Sequence, residues 1–123
     1  MKIKVRRANV EDLTFLLRLE KEAFPYFQQN SKQSLKNGIN SHFQEVLIFA
    51  HPQKRKTAVG SAVLYKYRNT LRIYSIALLP EYQNMGFGSM MIDYIREYAG
   101  KNNFGKGIYQ QSAISKHFRF QDF

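Results

Sequence analysis

Residues 76–95 read IALLPEYQNMGFGSMMIDYI. The stretch runs from an apolar segment, through Pro80, to Gly86-Phe87-Gly88, and then into residues at helical spacing. From Gly88 onward Met91, Ile92, Ile95 and Tyr98 or Ala99 share one helical face, with Asp93, Arg96 and Glu97 on the other. Glycines at i and i+2 let a backbone turn tightly and approach a ligand closely. The first turn of the helix that follows carries unpaired N–H groups and the positive end of the helix dipole. Such a junction holds an anion, diphosphate above all, or it is only a tight turn. The glycine pair by itself leaves both open.

Two phosphate motifs are excluded. A dinucleotide-binding fingerprint wants Gly or Ala three residues after the second glycine, where this chain has Met91. It also starts directly after the strand, whereas Pro80 to Met85 intervene here. A P-loop needs Gly-Lys-Ser or Gly-Lys-Thr, and the chain has Gly88-Ser89-Met90.

Outward from this stretch, KIKVRR (2–7) alternates polar and apolar residues and suits a short strand. A helix is expected next. Asn9 is its N-cap, Glu11 and Asp12 lie in its first turn, and Leu13, Leu16, Leu17, Ala23 and Phe24 form its apolar stripe. Pro25 ends it. Residues 26–44 suggest a loop and a short helix around residues 31–43, weakened by Gly38. EVLIFAH, TAVGSAVLYKY and LRIYSIAL then read as three strands joined by short turns, an antiparallel meander. Gly100 suits a helix stop. The remaining tail has room for one short strand near Ile108. One α+β domain over residues 1–123 is expected, a sheet packed by helices.

Composition narrows the function. Hydrophobic residues make up 44% and aromatics 15% of 123, which is globular. Cysteine is absent, which excludes a disulfide framework and thiolate chemistry. His42, His51 and His117 lack metal-ligand spacing, and no metal is expected. No apolar run is long enough to span a bilayer, and MKIKVRRANV lacks a signal peptide's apolar stretch. A soluble cytoplasmic protein is the simplest expectation. The net charge of +10 favours an anionic partner without choosing one.

The hexamer Gln83-Asn84-Met85-Gly86-Phe87-Gly88, in register with the preceding strand and proline and the following helix, resembles the signature of the GNAT superfamily of acyl-CoA-dependent N-acetyltransferases. VRRANVEDLTFLLRLEKEAFP resembles the family's first strand and helix, and the likeness covers roughly residues 3–100. It implies a mixed, mainly antiparallel sheet flanked by helices, here incomplete at the C-terminus. It also implies acetyl transfer from acetyl-CoA to a primary amine: a protein N-terminus, a lysine or a small amine. The N–H groups from about Asn84 through Met85, Gly86, Phe87 and Gly88 to Ser89 would bind the CoA diphosphate. The preceding strand would bulge and offer Ile76, Ala77 and Leu78 to the pantetheine arm. FPYFQQNSKQS (24–34) stands where the family builds its acceptor loop.

The tail departs from the family pattern. Arg119 stands where Gly is expected, and too few residues separate Ala113 from Phe120 for the family's Leu-Tyr pair. That Tyr often protonates the leaving thiolate. The candidate replacements are Tyr109 and His117, each also readable as a packing or surface residue. Glu81 reads as a solvated turn residue and Tyr82 as packing; Tyr65, Tyr67 and Tyr74 fall on strands and read as packing, with positioning of substrate the alternative for one that faces the cleft. The rival readings are a catalytically impaired acyl-CoA-binding module and, ranked last, a basic nucleic-acid-binding domain. A missing terminal strand would leave a sheet edge for a second copy to cover, so a homodimer is expected.

Overall fold

The computed structural model describes residues 2–67, 70–101, 108–110 and 119–120. Strand β1 (Lys4–Arg7) is followed by helices α1 (Leu13–Ala23) and α2 (Lys32–Ile39). Strands β2 (Gln44–Ala50), β3 (Ala58–Tyr67) and β4 (Thr70–Leu78) come next, then helix α3 (Phe87–Lys101) and strands β5 (Ile108–Gln110) and β6 (Arg119–Phe120). The sheet runs β1-β2-β3-β4-β5, and β6 also pairs with β4. The first four strands are antiparallel, whereas β5 and β6 lie parallel to β4. This is the expected α+β architecture with its central meander.

The alternation of side chains along the strands divides the core into two layers. Leu47, Phe49, Leu64, Ile73, Ile76 and Leu78 point toward α3, where Met91, Ile95 and Ala99 meet them. The opposite face carries Val46 and Ile48 against Leu13 and Leu16 of α1 and Leu35 of α2. Leu19 and Phe24 extend that layer over Ala77 and Leu79. α1 therefore covers one side of β4 and α3 the other, while α2 packs on β2.

Polar contacts tie the layers together. Glu45 of β2 is buried, and its carboxylate accepts from Arg7 of β1 and from Lys66 of β3 at 3.2 Å. The Tyr98 hydroxyl of α3 donates to it at 3.3 Å. Burial first, and the Glu45 charge next, push the Tyr98 phenol up to about 12.

Asn9 caps the first turn as expected. Its side chain accepts from Glu11 N at 2.8 Å, while Asp12 accepts from Asn9 N at 2.8 Å, and the turn is 3-10 before α1 begins. Asp12 also accepts a two-pronged hydrogen bond from Arg6, at 2.7 and 2.8 Å. That bond, aided by Asn9 N–H, holds the Asp12 carboxyl below its ordinary value despite partial burial. A depressed folded-state pKa gives stability that is present above the unfolded value, near 4, and lost as pH falls through the folded value. Asp12→Asn is therefore expected to lower the melting temperature at neutral pH and to flatten its decline below about pH 4. Thermal melts across acidic buffers check this.

Two expectations need correction. Gly100 does not stop α3, which continues to Lys101. A Cβ at Gly100 would meet nothing within 4 Å, and its φ is ordinary, so nothing there demands a helix end. The tail also contributes more than the strand near Ile108, because β6 pairs with β4 through Ser75–Arg119 and Ile76–Phe120. Among the described residues β5 has β4 as its one neighbouring strand. His117 lies outside the described residues.

Candidate active site

The site begins with a β-bulge. Val63 pairs with Ser75 but Leu64 pairs with Ile73, which leaves Tyr74 as an extra residue in β4. Before the bulge, Leu71 and Ile73 point to the α3 side; beyond it, Ile76 and Leu78 do. Ala77 is thereby turned toward α1. Tyr74 and Ser75, adjacent in sequence, both line the α1 side.

Beyond β4, Leu79 N donates to Val59 O at 2.9 Å and extends the ladder by one residue. Pro80 then opens a 3-10 turn through Tyr82, closed by Tyr82 N to Leu79 O at 2.9 Å. The chain reverses through two left-handed residues, Asn84 at φ 64° and Gly86 at φ 85°. Asparagine is one of the few side-chain-bearing residues that tolerates this region. The first hydrogen bond of α3 runs from Met90 N to Gly86 O at 3.2 Å. The N–H groups of Asn84 through Ser89 donate to no group among the described residues. A run of such donors at a helix N-terminus suits phosphate oxygens.

Packing holds the loop in place. The Phe87 ring is buried, with the His51 ring 5.2 Å away at an interplanar angle of 74° and the Tyr82 ring at 6.2 Å. Tyr82 packs as expected. Glu81 does more than face solvent: it accepts from Arg18 Nη2 at 2.6 Å and ties the loop to α1. Gly88 and Ser89 open onto a hollow of about 290 Å³ bordered by Ile92, Asp93 and Arg96.

The fold brings the expected residues together along one path. Ile76, Ala77 and Leu78 end β4, and Gln83 through Ser89 form the turn into α3. On its outer side β4 pairs with β5 at Leu71–Ile73 and with β6 at Ser75–Ile76. Among the described residues, pairing with β6 covers Ser75 and Ile76. Of the two catalytic candidates, Tyr109 lies in β5 in register with Arg72, away from the loop end of β4.

Two side chains near the site were missed in the sequence. Glu20 and Ser61 are each 6% exposed and line a cavity of about 70 Å³ between β4 and helices α1 and α2. Glu20 Oε1 accepts from Asn30 N at 2.6 Å, so it also pins the loop that follows α1. Its signal was legible: residue 20 continues the spacing of Leu13 and Leu16, a charge within an apolar stripe. Among the described residues no His, Asp and Glu cluster could hold a metal, and no helix is long and apolar enough to cross a membrane.

Comparison with known proteins agrees with this geometry. A family model described as the acetyltransferase (GNAT) family matches residues 13–118. Among solved structures, PaiA N-acetyltransferase from Thermoplasma acidophilum, in complex with coenzyme A, is 20% identical with a TM-score of 0.70. The match covers 85% of this chain and 76% of that one. The ribosomal-protein-S18-alanine N-acetyltransferase from Escherichia coli is 17% identical with a TM-score of 0.66, over 81% of this chain and 61% of that one. N-acetylglutamate synthase from Neisseria gonorrhoeae, complexed with coenzyme A and N-acetyl-glutamate, is 21% identical with a TM-score of 0.63. There the match covers 82% of this chain and 23% of the other. The chain thus spans less than two thirds of the latter two proteins, and at these identities the likeness is one of fold. No curated protein matches the sequence.

Proposed function

Since this chain belongs to the acetyltransferase (GNAT) family, we propose that it transfers an acetyl group from acetyl-CoA to a primary amine. The observation that carries this reading is the run of undirected N–H groups from Asn84 to Ser89, at the mouth of α3 and inside the Gln83–Gly88 signature. These donors would hold the diphosphate, helped by the dipole of α3. The backbone of Ile76, Ala77 and Leu78, at the end of β4, would pair with the pantetheine arm. A backbone N–H there would stabilise the tetrahedral oxyanion.

The reaction needs little more from the protein than alignment. The amine nitrogen forms a bond to the thioester carbon, the carbon–sulfur bond breaks, and the thiolate leaves and takes up a proton. Holding the two reactants in line supplies much of the acceleration. Net charge contributes as well, because a +10 chain attracts polyanionic CoA.

A thermal melt with and without acetyl-CoA tests the reading. Ligand at about a hundred times its Kd stabilises by roughly 2.7 kcal/mol, which should raise the midpoint by several degrees. Free phosphate or ATP should not reproduce the shift. No shift at millimolar acetyl-CoA would sink the proposal.

A second reading is an acyl-CoA-binding module without turnover. It is favoured by one observation: β6 occupies the outer edge of β4 at Ser75–Ile76, beside the proposed thioester path. Binding of acetyl-CoA with no product from a broad amine panel would select it. The side of β5 that has no neighbouring strand among the described residues is where a second copy would add one.

A further inference from the structure

Among the described residues of the loop, 84–89, Phe87 is the one with a buried side chain. Asn84, Met85 and Ser89 are exposed, and Gly86 and Gly88 have no side chain to pack. Packing can therefore hold this run of N–H donors only through the Phe87 ring. Tyr82, half-buried, stands just before the signature. Between these two rings lie both left-handed residues, Asn84 and Gly86. The loop is thus a reversal with an aromatic ring at each end and glycines in place of side-chain anchors.

His51 packs against both rings. It follows β2 directly, and strand alternation puts it on the face of Phe49, toward α3. Its ring centroid lies 6.1 Å from that of Tyr82, at 72°, and 5.2 Å from that of Phe87, at 74°. Edge-to-face contact of this kind is a preferred geometry for aromatic pairs. Tyr82 and Phe87 are themselves 6.2 Å apart, so the three rings close a triangle across the reversal.

His51 is held in turn. Its N–H donates to Thr57 O at 2.8 Å and carries the β2–β3 ladder one pair past the end of β2. Its Nδ1 accepts from Gln53 N at 3.1 Å, which orients the ring. Asparagine accepts an N–H two residues on in the same way. Phenylalanine would bring the ring without the acceptor, and asparagine the acceptor without the ring. Histidine brings both.

We propose that His51 is a positioning residue for the diphosphate loop, its ring clasping Tyr82 and Phe87 and so fixing the loop's N–H groups. The proposal rests on the acetyl-CoA reading for the identity of the ligand, but the clasp is testable without it.

Two variants separate the ring from the acceptor. His51→Asn keeps an oxygen for the Gln53 N–H and loses the ring. His51→Phe keeps the ring and loses the acceptor. The first arm is amide hydrogen exchange of the full chain without ligand, read from proton–nitrogen correlation spectra. Tyr82 N and Met90 N make the hydrogen bonds that bound the loop on either side, to Leu79 O and to Gly86 O. In His51→Asn both amides should exchange roughly three- to tenfold faster, the worth of an aromatic pair, while amides in the middle of α3 keep their rates. His51→Phe should return both to near the parent rates. A general loss of stability would speed exchange in the middle of α3 as well. Unchanged exchange at Tyr82 and Met90, or a uniform rise through α3, overturns the clasp.

The second arm titrates acetyl-CoA by calorimetry and measures transfer to a panel of primary amines. In His51→Asn, Kd and KM for acetyl-CoA should rise by the same factor of roughly three to ten. The kcat at saturation and KM for the amine should not change. His51→Phe should restore acetyl-CoA affinity. Equal affinity in the parent and His51→Asn, or no rescue by His51→Phe, overturns the clasp and leaves acetyl transfer standing. The expected exchange pattern in a parent that binds no acetyl-CoA supports the clasp and sinks the acetyl-CoA reading instead.

Discussion

Gly86→Val is expected to weaken acetyl-CoA binding tenfold or more while the chain remains folded. Gly86 sits at φ 85°, and a Cβ built there meets nothing within 4 Å. The effect is therefore one of backbone conformation and not of crowding. A β-branched residue in the left-handed region costs about 1–2 kcal/mol. The loop can escape that strain by rotating Gly86 to negative φ, which turns neighbouring N–H groups away from a common centre. Losing one charge-assisted hydrogen bond is worth roughly 1.5–3 kcal/mol, at least a factor of ten in affinity. Calorimetric titration of acetyl-CoA into both proteins measures this. Gly100→Ala is the control, since its Cβ also meets nothing within 4 Å and its φ is ordinary. It should bind acetyl-CoA as the parent does and gain about 0.5–1 kcal/mol from helix propensity. Equal affinity in Gly86→Val would mean that the loop is a turn and the diphosphate lies elsewhere.

Gly60→Ala is expected to be the more damaging glycine substitution for stability. Gly60 faces Leu78 across the β3–β4 ladder. A Cβ there would overlap the Ala77 carbonyl oxygen and crowd Leu78 Cδ2 at 3.1 Å and Met91 Cε at 3.2 Å. The methionine end can swing aside, but the carbonyl belongs to the backbone and cannot. β3 and β4 must separate at the point where the sheet hands over to the glycine loop. Overpacking of this kind costs about 1–3 kcal/mol, which should lower the melting midpoint by roughly ten degrees. Urea unfolding should show a lower midpoint with an unchanged slope. An unaltered midpoint would show that the strands separate there without cost. Acetyl-CoA affinity should fall as well, because Ala77 and Leu78 are the proposed pantetheine edge.

Much of the frame was legible because its signals repeat. Asn9 as an N-cap, with Glu11 and Asp12 in the first turn, marks a helix start, and the cap forms. The β2–β4 meander shows in three β-rich runs with short turns, and the glycine loop shows in its punctuation. Four features were hidden for different reasons. Glu20 was passed over because the α1 stripe was read from its apolar members, although position 20 is spaced as one of them. The site of the bulge was not read because the three-residue spacing of Ile73 and Ile76 breaks the alternation without saying which residue between them is extra. β6 contains two residues, too few for any period to show. Ser61 carries no signal in the sequence. Its significance arises only when β3, α1 and α2 enclose a space around it.

The extra residue at Tyr74 has a consequence for how this chain can vary over generations. Turns such as 51–57 can gain or lose a codon and leave the strands facing as before. β4 has no such freedom. Removing one codon at the bulge would exchange the faces of everything between it and Pro80, sending Ile76 and Leu78 to the polar cavity and Ala77 to the apolar side. Inheritance therefore has to preserve the number of residues between Ile73 and the signature loop, even where it is free to change their identity.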